Sequence, residues 1–199
     1  MDVHDTHVAV GAEFSRIFDP NDFLAMINIP DEALCILRGH LMLEEFLNLW
    51  SAKVTGTEDL FSGSFVSFKT KLVISKNLGM PEDLYVVIDK VNDIRNRFSH
   101  RKGHVLENSA IETLKKKVDD AIPAAPIQNC EEFEVHAEGK DPHGNPARIT
   151  HAWKSSNNRI KFLILFVIFM LKFTHWIQEA FTSRGIPFDL IAIPKDGVV

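Results

Sequence analysis

The segment with the clearest chemical potential is Arg95-Asn96-Arg97-Phe98-Ser99-His100-Arg101-Lys102-Gly103-His104. It gathers four cations and two histidines in a chain whose formal charge is −5. A protein acidic overall is no general polyanion binder, so any contact with nucleic acid must use a local basic patch such as this one. Histidine, with a reference pKa of ~6.5, moves protons near neutral pH. A guanidinium fork meets phosphate oxygens in a fixed geometry that a mobile ammonium lacks. Upstream, Val87, Ile88, Val91, Ile94 and Phe98 form an apolar stripe at helical spacing. At about 100° per residue, Arg95 falls roughly 50° from the middle of that stripe, at the edge of a core. His100 projects from nearly the opposite side, close to Asn96 one turn earlier.

An arginine on a core boundary needs a carboxylate or a phosphate for its donors. Arg38, Glu44 and Glu45 fall near the arc of Leu34, Leu37 and Leu41, and charges inside an apolar stripe find partners on a facing helix. Glu45 is the first expected partner of Arg95. In that purely structural reading, Arg95 ties two helices together, and His100 is a solvent-facing residue favoured by the helix dipole. In the functional reading, Arg95 meets a phosphate from outside the chain.

The elements that position these groups are mostly helical. Residues 11–28 read as two short helices broken near Asp19-Pro20. Asp31 opens a helix of about five turns ending before Thr55-Gly56, and Ser64 begins another closed by Gly79. Pro81 sits at the start of the helix carrying Arg95, with Gly103 at its end. Asn108 or Ser109 caps a fifth helix stopped by Pro123, with Glu112 and Lys116 as a surface i,i+4 pair. Residues 123–156 hold four prolines and two glycines, and both EFEVHAE and ARITHAW alternate apolar with polar. The expectation is a β-hairpin over about 131–153, with Phe133, Val135 and Ala137 on one side. A long core helix over 157–185 and a tail over 186–199 complete one mainly α-helical domain spanning 1–199.

Cys35 and Cys130 are the only cysteines, which suits a reducing compartment and builds no disulfide framework. The first residues, MDVHDTHVAVGAEF, lack the basic flank and apolar core of a secretion signal. Residues 162–171 are apolar between Lys161 and Lys172, but ten helical residues span only about half of a ~30 Å hydrocarbon layer. A core or interface helix in a cytoplasmic protein is expected, not a membrane span. Cys130, His136, His143 and His151 match no standard zinc spacing, so neither a metal nor another cofactor is expected.

Arg-x4-His at the end of a helix, with Asn directly after the Arg, resembles the signature of the HEPN superfamily of helical bundles. The stretches ALCILRGHLMLEEFLNLW, FVSFKTKLVISKNLGM and DLYVVIDKVNDIRNRFSH are similar to its mannitol-operon-repressor-like branch. The resemblance covers residues 31–104. It implies RNA cleavage without metal in a site shared by two subunits. His100 would transfer a proton at the ribose 2′-hydroxyl or the leaving oxygen, Arg95 would neutralise the phosphorane, and Asn96 would hold the phosphate or orient His100. Arg97, Arg101 and Lys102 would supply the electrostatic footprint for RNA, with Glu44, Glu45 and Arg38 in support. A homodimer, and an antitoxin or regulatory protein partner, follow from the same resemblance. Some toxin members carry a tyrosine two residues after the histidine; Lys102 stands there in this chain. The other class of function is a non-catalytic regulator working through protein contacts. No helix-turn-helix with a basic recognition face is visible.

Overall fold

The computed structural model describes residue 17, residues 20–140 and residues 143–188. Six helices and one hairpin follow in order: α1 (Pro20–Asn28), α2 (Glu32–Thr55), α3 (Phe68–Asn77), α4 (Glu82–His100), α5 (Asn108–Asp120), β1 (Glu134–Lys140), β2 (Pro146–Ala152) and α6 (Asn158–Arg184). This is a mainly α-helical bundle with a small inserted hairpin. The first of the two helices expected around Pro20, the Asp141-Pro142 turn, His4, His7 and the tail beyond 188 lie outside the described residues.

Helix ends follow side-chain chemistry. Asp31 accepts from Leu34 N at 2.9 Å, and Asn157 accepts from Ile160 N at 3.0 Å, each satisfying an otherwise orphaned amide. Gly56 and Gly185 close α2 and α6 in the left-handed conformation, φ +66° and +65°, where a side chain would be strained. α3 starts later than Ser64: Ser67 is its cap, accepting from Thr70 N at 3.2 Å. Residues 56–67, before it, form a loop with Gly63 also at positive φ. α5 has Glu107 at its N-cap position without a side-chain cap bond, so neither Asn108 nor Ser109 plays that part. Glu112 lies 4.0 Å from Lys161 of α6 rather than pairing with Lys116.

α6 is the axis of the core. Phe162, Phe166, Phe169, Phe173 and Phe181 are all buried along it, each contributing about 2 kcal/mol by removal from water. By length and composition α6 is apolar enough to cross a membrane, yet 72% of its most apolar window is buried against the rest of the bundle. It is a core helix, apolar on every side because it is covered on nearly every side. α2 runs beside it, with Phe46 on Phe173 at 4.5 Å and Trp50 stacked on Phe181 at 5.7 Å between ring centroids. Gly39 permits that approach, since a Cβ there would meet the Phe166 ring at 3.1 Å.

Lys172 does not mark the end of the apolar run. It is buried, and its ammonium donates to the carbonyls of Val118, Asp119 and Ala121 at 2.8–2.9 Å, capping the C-terminus of α5. Burial pushes its pKa below the usual lysine value. The hairpin pairs Glu134 with Ala152 through Lys140 with Pro146, antiparallel. Phe133, Val135 and Ala137 are half-buried while Glu134, His136 and Glu138 are exposed, as the alternation implies.

Candidate functional site

α4 holds the basic segment on a helix whose register the core fixes. Leu84, Val87, Ile88, Val91 and Ile94 are buried along one side. Glu82 and Asp83 in the first turn, and Arg97 and His100 in the last, complement the helix dipole. The helix stops at His100, and Arg101 continues in an extended conformation, φ −130°. Arg97, His100, Arg101 and Lys102 are exposed, and none has an ion-pair partner among the described residues. His104 serves packing instead, its ring lying edge-on to Phe98 at 4.8 Å between centroids.

Arg95 is half-buried at the core edge. Its Nη1 donates to Asn96 Oδ1 at 3.1 Å, and its Nε is buried without a hydrogen-bond partner. The expected pairing with Glu45 does not form. Glu45 is exposed on α2 and makes no ion pair among the described residues. Arg38 pairs with Asp22 of α1, and Glu44 accepts from Lys71 Nζ of α3 at 2.7 Å, so the supporting charges bind helices other than α4. The physical reason is the orientation of α2. Its core arc runs through Cys35, Ile36, Gly39, Leu43, Phe46 and Trp50, which turns Leu34, Leu37 and Leu41 outward with the charges between them.

The inward arc of α2 instead delivers a group absent from the expected set. His40 is buried against Phe68, with ring centroids 3.9 Å apart, and its Nε2 donates to Asn92 Oδ1 at 3.2 Å. Burial lowers its pKa below 6.5; the Asn92 bond and the Glu44 charge oppose that shift, while the nearby Arg95 charge adds to it. The signal was in the spacing: His40 stands four residues after Ile36 and three before Leu43, both on the core arc. Asn92 stands likewise four residues after Ile88. The structure thus joins Arg95 to Asn96 and sets their helix against His40. His100 leaves the helix about 140° around from Arg95, so the two side chains start on different sides.

Chemically, this arrangement offers a half-buried cation without a carboxylate among the described residues, an amide beside it, and an exposed imidazole one turn on. Elsewhere, among the described residues, no three His, Cys, Asp or Glu side chains converge to hold a metal ion. Cys130 is buried, with its thiol pKa pushed up by burial, whereas His136 is exposed on the hairpin and bonded to Thr150 at 2.9 Å. No protein-family model, curated protein or solved structure matches this chain.

Proposed function

We propose that this chain is a metal-independent endoribonuclease of the HEPN type, held in check by a protein partner. One observation carries the reading: Arg95, at the edge of the core, has no carboxylate among the described residues and only the Asn96 amide as a side-chain partner. No carboxylate among the described residues compensates its positive charge, and a phosphate oxygen is the group that would satisfy it. In the reaction a bond forms from the ribose 2′-oxygen to phosphorus as the bond to the 5′-oxygen breaks. The 2′-hydroxyl proton passes to a base, and the leaving oxygen takes one from an acid. His100 performs one of these transfers, and a second copy supplies the other. Arg95 stabilises the phosphorane charge, Asn96 holds the guanidinium in place, and Arg97, Arg101 and Lys102 attract the RNA backbone.

The test is incubation of the pure protein with total RNA in EDTA. Discrete fragments from wild type, lost in His100→Ala and in Arg95→Ala, support the reading. Equal cleavage by all three proteins overturns it. The exposed leucines of α2 favour a second reading, a non-catalytic regulator in the manner of the mannitol-operon-repressor-like proteins, acting through protein contacts. An inactive wild type that still captures a regulatory protein would favour that reading.

A further inference from the structure

Phe65 is 95% exposed, although it stands three residues before buried Phe68 and seven before buried Leu72, the spacing of a core side chain. The cap at Ser67 is the reason: α3 begins after it, and Phe65 is left in the loop that enters the helix. A lone exposed phenylalanine is ordinary on a protein surface; the place of this one is not.

α3 and α4 run antiparallel, tied by Lys76 to Glu82 and by Lys69 to Asp89, each at 2.5 Å. Lys69 also donates to the Tyr85 hydroxyl at 2.9 Å. At about 100° per residue, Tyr85, Asp89, Asn96 and His100 share an arc of about 60°. The side of α4 that meets α3 therefore continues past the start of α3 as Asn96 and His100. That start lies level with Asn92, because Phe68 packs on His40 and His40 bonds to Asn92. Three residues of loop reach at most about 10 Å beyond it, which brings Phe65 toward the level of Asn96, roughly one turn short of His100. Exposed Arg97, Arg101 and Lys102 stand at the same end of α4, without ion-pair partners among the described residues. Exposed Asp93 lies seven residues before His100, about 10 Å down the axis from it.

We propose that Phe65 is the platform on which an unpaired RNA base stacks, with that nucleotide's phosphate at the His100 end of α4. This rests on the ribonuclease reading and adds a substrate-binding residue to it. The surroundings select the occupant. Ser62, Gly63 and Ser64 beside Phe65 are exposed, small and without apolar surface to meet a protein pocket, whereas cations for a phosphate backbone lie at the same end of the bundle. Every base has a flat π-face, so one aromatic ring holds a base without reading its sequence. A base inside a duplex already stacks on both faces, so the platform takes a single strand.

Fluorescence anisotropy with a labelled oligoadenylate, free and annealed to oligouridylate, tests the proposal. Phe65→Ala is expected to keep the wild-type melting curve, as an exposed side chain allows, and to bind the single strand about 5–100-fold more weakly. The duplex should bind both proteins alike. Phe65→Trp is expected to bind the single strand at least as tightly as wild type, with indole emission quenched beyond any change in wild type. Wild type that binds no oligoadenylate overturns the proposal. So does Phe65→Ala with wild-type affinity, an equal loss on the duplex, or an indole at position 65 that RNA leaves unquenched. The two readings fail separately. Phe65→Ala that binds and cleaves RNA as wild type does removes the platform and leaves the cleavage reading standing. A wild type that holds RNA through Phe65 but never cuts it removes the cleavage reading and leaves the platform.

Discussion

The Arg95 guanidinium donates to Asn96 Oδ1, its immediate neighbour on α4, at 3.1 Å, and not to any carboxylate of α2. An amide satisfies a donor without cancelling a charge. That distinction separates an arginine that ties two helices together from one that waits for an anion.

The first consequence concerns Glu45. Because it makes no ion pair with α4 and faces solvent, Glu45→Ala in dilute protein should change stability by less than about 0.5 kcal/mol. A melting curve lowered by the several kcal/mol that a broken buried pair costs would restore the Glu45–Arg95 tie.

His40 makes stability depend on pH in a defined direction. Its folded pKa lies below 6.5, so between those two values the unfolded chain holds a proton that the folded chain does not. The stability of the neutral form is complete above 6.5 and is lost as pH falls toward the folded pKa. The slope from this one site cannot exceed about 1.4 kcal/mol per pH unit. Chemical denaturation across pH 7.5 to 5 should show a shallower acid loss in His40→Gln than in wild type. Parallel curves for the two proteins would mean that His40 does not titrate differently on unfolding.

Lys172 caps α5 from inside the core, donating to three carbonyls. Lys172→Met keeps the volume and removes the donors, so those carbonyls lose their buried partner. The expected loss is about 2–4 kcal/mol, read by urea denaturation. A variant as stable as wild type would show that the carbonyls find other partners.

How much of this was legible in the sequence depends on whether a residue's neighbours in the chain fix its environment. The ends of α6 were legible because Asn157 and Gly185 act on the backbone within four residues. The hairpin was legible because apolar Phe133, Val135 and Ala137 alternate with polar neighbours. α2 was not fully legible, because it carries two apolar arcs. Leu34, Leu37 and Leu41 look as core-like as Ile36, Leu43 and Phe46, and the packing of α3, α4 and α6 on α2 decides which arc turns inward. The same ambiguity misassigned Glu45. Lys172 read as the charged flank of an apolar run because nothing near it in sequence shows the α5 carbonyls, some fifty residues away, that accept its protons. For the candidate site, the angular positions of Arg95 and His100 followed from helical period alone, and the structure has Arg95 half-buried and His100 exposed in keeping with them. The partners of Arg95 did not follow, since they depend on which helix lies opposite.

The basic segment should show itself in salt dependence. If Arg97, Arg101 and Lys102 contact RNA phosphates, each one removed should flatten the slope of log affinity against log salt by about 0.7 for a single strand. Fluorescence anisotropy with a labelled RNA, over several salt concentrations, gives that slope. A triple alanine variant with the wild-type slope would place the RNA elsewhere on the molecule.

The most direct measurement pairs a melting curve with a cleavage rate for wild type and His100→Ala, in EDTA at fixed salt. His100 is exposed at the end of α4, so its removal should shift stability by less than about 1 kcal/mol. As the proton-transfer group, the same change should slow RNA cleavage by about 10²–10⁴-fold. An unchanged melting curve with that loss of rate is the predicted result. An active wild type whose rate survives His100→Ala, or a wild type that cleaves no RNA in EDTA, would contradict the account.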